Sequence, residues 1–139
     1  MNKVLAIIGK KSIEGFSKTR LEKEIGASNA QKLYQAFLVD FFNKLEKNHL
    51  QFAQIYLYVT PESEETIQFF KEYLSENLQN KTRFIFQCEG SLFERLEYLF
   101  QEIDKEDRCF VHLTGTDIPD FPFHYIKKNI LDNTLYIGE

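Results

Sequence analysis

Hydrophobic positions along the chain alternate between two periods. Lys3-Val-Leu-Ala-Ile-Ile-Gly9 is a continuous apolar run closed by glycine, the pattern of a strand buried on both faces. After a polar stretch over 10–26, Ala30, Leu33, Tyr34, Phe37, Leu38, Phe41, Phe42 and Leu45 recur at three and four residues and predict an amphipathic helix, with Ser28 and Gln31 as its capping box. Phe52 to Thr60 is a second strand. Thr60-Pro61-Glu62 then opens a second helix, with proline at its first position and Ile67, Phe70, Leu74 and Leu78 on its inner face. Arg83 to Gln87 predicts a third strand, and Ser91-Leu-Phe-Glu94 is a capping box for a helix running to about Ile103. Arg108 to Gly115 predicts a fourth strand. Beyond it lie a loop, a short helix over 124–131 and a last strand over 134–137.

Strict alternation of strand and helix means βαβ units, a mostly parallel sheet and right-handed crossovers that put helices on both faces. The expected fold is therefore α/β, a Rossmann-like three-layer αβα sandwich. Its 139 residues suffice for a single domain over residues 1–139 that needs neither metal nor disulfide to fold. The longest wholly apolar runs have five residues, so no membrane span is expected, and the amino terminus is too short in apolar residues for a signal peptide. Seventeen basic against twenty-one acidic side chains leave a net charge of −4, which disfavours nucleic acid as a partner. Cys88 and Cys109 lack metal-ligand spacing and read as buried thiols of a cytoplasmic protein.

Ligands of such sheets bind beyond the carboxyl ends of the strands, where the strand order reverses. Two segments lie there. The loop from Gly9 to Leu21 carries Lys10, Lys11, Lys18 and Arg20 with two glycines, Gly9 and Gly15. Arginine offers a fork to phosphate oxygens, lysine a mobile charge, and glycine a close backbone approach. Neither a Walker A loop nor a GxGxxG fingerprint is present, and a solvated polar loop is the alternative. The second segment is Gly115-Thr-Asp-Ile-Pro-Asp120. Asp117 suits a Mg²⁺ or Mn²⁺ that also touches a diphosphate, whereas Asp120 is also explained as the cap of a turn. His112 reads as a core histidine, and His124 as a secondary ligand or proton carrier. Glu94 reads as a helix cap, with Glu89 beside it at the ligand edge, and Arg95 as a group that reaches phosphates or pairs with an acid.

Together Gly15-x-x-Lys18-Thr19-Arg20-Leu21, the helix with Ala30 and Leu33-Tyr34, Gln87-x-x-Gly90-x-Leu92-x-Glu94-Arg95-Leu96 and Gly115-Thr116-Asp117-x-Pro119-Asp120 resemble a known family. It is the small bacterial glycosyltransferase-like group of the nucleotide-diphospho-sugar transferase superfamily, of the radical-SAM/selenodomain-associated type. The resemblance implies a GT-A fold and a nucleotide-binding half. Lys18 and Arg20 fall on the nucleotide phosphates and take catalytic roles with Asp117. Gly9, Lys10, Gly15, Thr19 and Arg95 complete the nucleotide site. Asp117 takes the place of the metal-binding aspartate for Mg²⁺ or Mn²⁺, with Asp120 as a weaker second donor.

Three departures from that family stand in the sequence. The loop before Lys18 lacks prolines, one aspartate stands where a DxD pair is usual, and the chain stops at Leu135-Tyr-Ile-Gly-Glu139, where the family continues. The fold is thus expected to lack its C-terminal part and its acceptor half, either because the sequence is cut there or because the protein is a shortened relative. Uncovered strand edges leave a homodimer open. The expected function is glycosyl transfer from a nucleotide-diphosphate sugar to an unknown acceptor. The alternatives are a nucleotidyltransferase resembling the molybdenum-cofactor or phospholactate guanylyltransferases and a non-catalytic nucleotide-binding domain.

Overall fold

The computed structural model describes residues 2–11, 23, 25–106 and 109–116. They form β1 (Asn2–Lys10), α1 (Ala27–Asn48), a 3-10 turn (His49–Gln51), β2 (Gln54–Thr60), α2 (Glu64–Lys71), α3 (Glu76–Lys81), β3 (Thr82–Phe86), α4 (Leu92–Asp104) and β4 (Cys109–Gly115). The helix and strand predicted over 124–131 and 134–137 lie outside the described residues.

The four strands pair in the order β3-β2-β1-β4, all parallel. Side chains alternate across the sheet and divide the core in two. On one face Leu5 and Ile7 of β1 and Ile55, Leu57 and Val59 of β2 meet Leu38, Phe41, Phe42 and Leu45 of α1, Phe70 of α2 and Leu78 of α3. On the other face Val4, Ala6, Tyr56, Tyr58 and Ile85 meet Leu99 and Ile103 of α4. Burying such side chains stabilises the fold by about 1.5–3 kcal/mol each. The architecture is the expected three-layer αβα sandwich. The chain moves outward from β1 through β2 to β3, then crosses the other face and returns beside β1, so the strand order reverses between β1 and β4.

Three local expectations are corrected. Helix α1 has Gly26 as its N-cap, at φ 88°, with no side-chain hydrogen bond to the cap. Glycine takes that positive φ without strain, the helix starts at Ala27, and Ser28 therefore lies inside the first turn instead of capping it. Pro61 does not start the second helix, because Ser63 caps it and accepts from the Thr66 N–H. The single helix expected through Leu78 is two helices. Ser75 restarts the chain by accepting from the Leu78 N–H, and the Gln79 amide donates to the Lys71 and Leu74 carbonyls in the break. Ser91 and Glu94 form the predicted capping box. Cys88 and Cys109 are half-buried where fully buried thiols were expected, and neither forms a disulfide among the described residues.

Candidate functional site

The carboxyl edge of the sheet is built from strand ends of unequal length. β1 stays paired with β2 through Lys10 and Thr60, whereas its pairing with β4 ends at Ile8 and Gly115. Among the described residues this leaves a step between the ends of β1 and β4. Tyr34 of α1 reaches into it: its hydroxyl donates to the Lys10 carbonyl at 2.7 Å, accepts from the Lys10 N–H at 3.2 Å and lies 3.2 Å from Thr116 Oγ1. Thr116 and Tyr34 are both buried.

Gly9 sits on the floor of this edge. A Cβ at Gly9 would come within 2.8 Å of Phe70 Cζ and 3.4 Å of Thr116 Cγ2, so close packing from α2 and from the end of β4 accounts for this glycine. Lys10 is exposed, while Lys11 pairs with Glu65 of α2 at 3.2 Å, a surface ion pair of small energetic weight.

Toward β2 and β3 the edge deepens into a cleft of about 320 Å³ lined by Lys10, Thr60, Gln87, Cys88, Glu89, Gly90 and Arg95. Gln87 braces it: its Nε2 donates to the Tyr58 carbonyl at 3.0 Å and the Gly9 carbonyl at 3.3 Å, and its Oε1 accepts from Arg95 Nη1 at 3.1 Å. The Tyr58 hydroxyl donates to the Arg95 carbonyl at 2.8 Å, so both ends of Arg95 are fixed to strand ends. Burial pushes the Tyr58 phenol up to about 12, which keeps it a donor at any physiological pH. Arg95 Nε is buried without a hydrogen-bond partner among the described residues. Gly90 has φ 126°, a conformation glycine takes freely, and turns the chain from β3 into α4, where Glu94 caps the helix as expected. A second groove, lined by Phe100, Ile103, Cys109 and Val111 among others, shares no residue with the cleft and lies near the start of β4.

Of the residues singled out from sequence, Gly9, Lys10 and Arg95 are therefore brought to one edge, Lys10 and Arg95 around one cleft. Gly15, Lys18, Thr19, Arg20, Asp117, Asp120 and His124 lie outside the described residues. His112 is half-buried in β4, edge-on to Phe52 at 6.0 Å; it lies outside both core clusters, and its buried Nε2 has no hydrogen-bond partner among the described residues, where a satisfied core histidine was expected. Arg95 bonds an amide oxygen, a partner that neither sequence expectation named. The sequence reading gave no site role to Tyr34, Thr60, Gln87 or Thr116. The available signal was a tyrosine in an otherwise aliphatic and phenylalanine helix face, whose hydroxyl must find a partner when buried. Among the described residues no three of His, Cys, Asp and Glu come together as a metal site.

No protein-family model matches the chain, and no curated protein matches it. A solved structure from Desulfovibrio desulfuricans G20, of a candidate nucleotide-diphospho-sugar transferase, superposes with a TM-score of 0.71 at 26% identity. The match covers 91% of this chain and 52% of that one. The fold is that of a nucleotide-diphospho-sugar transferase. The chain spans about half the length of that protein. In this transferase-like fold the cleft beside Lys10 and Arg95 lies at the sheet edge where α/β proteins bind ligands. No helix among the described residues is long and apolar enough to cross a membrane.

Proposed function

We propose that the carboxyl edge binds a nucleotide-diphosphate sugar and that the protein is a glycosyltransferase-like enzyme of the cytoplasm. The observation that carries this reading is the cleft itself: a polar hollow with Lys10 and Arg95 on its walls, beside the reversal of strand order, in a fold shared with a candidate nucleotide-diphospho-sugar transferase. Fold does not fix function, so the chemistry has to come from the residues.

An anionic diphosphate meets Lys10 and Arg95 at this edge. Lys18 and Arg20, which follow Lys10 within one loop of the sequence, are the proposed contacts to its oxygens, Arg20 by a two-pronged fork and Lys18 as a point charge. In glycosyl transfer an acceptor hydroxyl oxygen bonds to the anomeric carbon and gives up its proton as the bond from that carbon to the β-phosphate oxygen breaks, and negative charge gathers on the departing nucleoside diphosphate. Lys18 and Arg20 stabilise that charge as it develops. Asp117, next in sequence to the buried Thr116, is the proposed carboxylate for Mg²⁺ or Mn²⁺, with Asp120 as a weaker donor. The ion's contribution is further neutralisation of the diphosphate.

Calorimetric titration with UDP-, GDP-, CDP- and ADP-sugars in the presence of Mn²⁺ tests the reading. One donor is expected to bind the wild type, about tenfold or more weaker to Lys18→Ala/Arg20→Ala, a loss of ~1.4 kcal/mol. Asp117→Ala is expected to lose the Mn²⁺ dependence. Release of nucleoside diphosphate marks glycosyl transfer, and release of pyrophosphate from a triphosphate marks nucleotidyl transfer. A wild type that binds none of the four overturns the proposal.

A further inference from the structure

We propose that the Tyr34 hydroxyl is a positioning group for the ligand cleft, fixing the end of β1, and with it Lys10, where a nucleoside diphosphate binds. This rests on the nucleotide reading above and adds to it a residue that does not itself touch the ligand.

The Lys3 carbonyl accepts from Ala53 and the Lys11 N–H donates to Thr60, so odd-numbered residues of β1 direct their backbone groups toward β2. Even-numbered residues direct theirs toward β4, as successive residues of a strand between two parallel neighbours must. Pairing with β4 stops at Ile8 and Gly115, so the backbone of Lys10 faces the side of β1 on which that pairing has ended. Tyr34 supplies there what a continuing strand would have supplied, an acceptor for the Lys10 N–H and a donor for its carbonyl. A phenol oxygen has one proton and two acceptor sites. With the proton given to the Lys10 carbonyl, the contact to Thr116 requires the threonine hydroxyl to be the donor. All three valences of one oxygen are thus used, two on β1 and one on the residue following β4.

Packing does not account for that oxygen. Tyr34 is 4% exposed in the apolar face of α1, beside Leu38, where phenylalanine would fill the same space. The hydroxyl is explained by its position at the parting of the strands. The backbone it grips carries Lys10, whose side chain lines the cleft, and lies next to Gly9, whose carbonyl is held from the opposite side by Gln87. Releasing one grip lets a wall of the cleft shift. A site that loosens by ~1 Å loses much of its affinity, because its charges no longer converge on the same ligand atoms.

The test compares two hydroxyl deletions. Tyr34→Phe removes the grip. Tyr56→Phe removes a buried hydroxyl of the same kind, which donates to Glu106 at 2.7 Å beyond the end of α4, at the opposite edge of the sheet. Affinities for UDP, GDP, CDP and ADP in Mg²⁺ are measured calorimetrically at 15 °C, where circular dichroism shows each variant folded, alongside melting temperatures. Both variants are expected to melt lower than the wild type. Tyr34→Phe is expected to weaken binding of the preferred diphosphate about tenfold, Tyr56→Phe less than twofold. Adding Thr116→Val to Tyr34→Phe is expected to cost little more, since both delete one bridge. Wild-type affinity in Tyr34→Phe, or equal losses in the two single variants, overturns the positioning role and leaves the nucleotide reading standing. A wild type that binds no diphosphate overturns both.

Discussion

Replacing Gly9 by alanine probes the packing beneath the cleft, and its cost follows from distances. The new Cβ would stand 2.8 Å from Phe70 Cζ and 3.1 Å from Phe70 Cε1. Carbon atoms in comfortable contact are about 3.5–4.0 Å apart, so the ring must retreat by roughly 0.7–1 Å. Phe70 is fully buried, with Phe69 edge-on at 5.1 Å and Phe42 edge-on at 6.5 Å between ring centroids, so its retreat disturbs two further aromatics. Overpacking of this kind costs about 1–3 kcal/mol, which lowers the melting temperature of a domain this size by roughly 3–12 °C. Guanidinium unfolding measures it, with a lower midpoint and an unchanged slope expected. Phe70→Leu removes the clashing end of the ring. It costs stability in its own right by leaving a void. In that background, however, the added cost of Gly9→Ala should fall below ~0.5 kcal/mol, the strong coupling expected of touching residues. An equal cost in both backgrounds would refute the assignment of Gly9 to the Phe70 contact.

Two further outcomes follow from local geometry. Burial first, and Lys3 second, lower the pKa of His112, so below about pH 6.5 the folded protein binds fewer protons than the unfolded chain. This contribution to stability is complete above that pH and is lost as the pH falls. His112→Gln should therefore show a shallower loss of denaturation midpoint between pH 8 and pH 5 than the wild type, and identical slopes would exclude His112 as the source. Ser91→Ala removes the oxygen that accepts from the Glu94 N–H at 3.2 Å at the start of α4. A cost of about 0.5–2 kcal/mol in urea unfolding is expected, and a midpoint equal to the wild type's would mean that this cap contributes nothing.

The layered fold was legible because its signals are periodic and large. Apolar runs in β1 and β2 and the 34, 38, 41, 42, 45 spacing in α1 are what a sheet covered on both faces demands, and these residues are buried. The start of α1 was not legible. Serine followed three residues later by glutamine resembles a cap, and nothing local says that Gly26 takes the positive φ that starts the helix two residues earlier. The break between α2 and α3 was hidden for a related reason. Phe70, Leu74 and Leu78 keep helical spacing while Ser75 interrupts the backbone, so the apolar pattern passes over a cap. At the carboxyl edge, charge and glycine content directed attention to Gly9, Lys10 and Arg95, which do gather there. Tyr34 and Gln87 stood in the sequence pattern without a role, because their roles lie in hydrogen bonds to backbone groups distant in sequence.

The cleft can be divided by asking which of its residues the fold itself requires. Gly90 answers to a backbone φ of 126°, Gln87 to the carbonyls of Gly9 and Tyr58, and Thr60 to the paired end of β2. Neighbouring Gly9 and Glu94 are likewise explained, by Phe70 and by a helix cap. The charged side chains Lys10, Arg95 and Glu89 remain. Packing does not demand a charge at any of these positions, and the Arg95 guanidinium is held in place by the bond its Nη1 donates to Gln87 Oε1. Fixing a long cation in place sacrifices side-chain freedom worth up to about 2 kcal/mol. Such an expense is reasonable where an anion binds, because a charge already in position does not have to be ordered by the ligand. This holds for phosphate oxygens of any nucleotide, which is why the base and the sugar of the proposed ligand have to be found by titration.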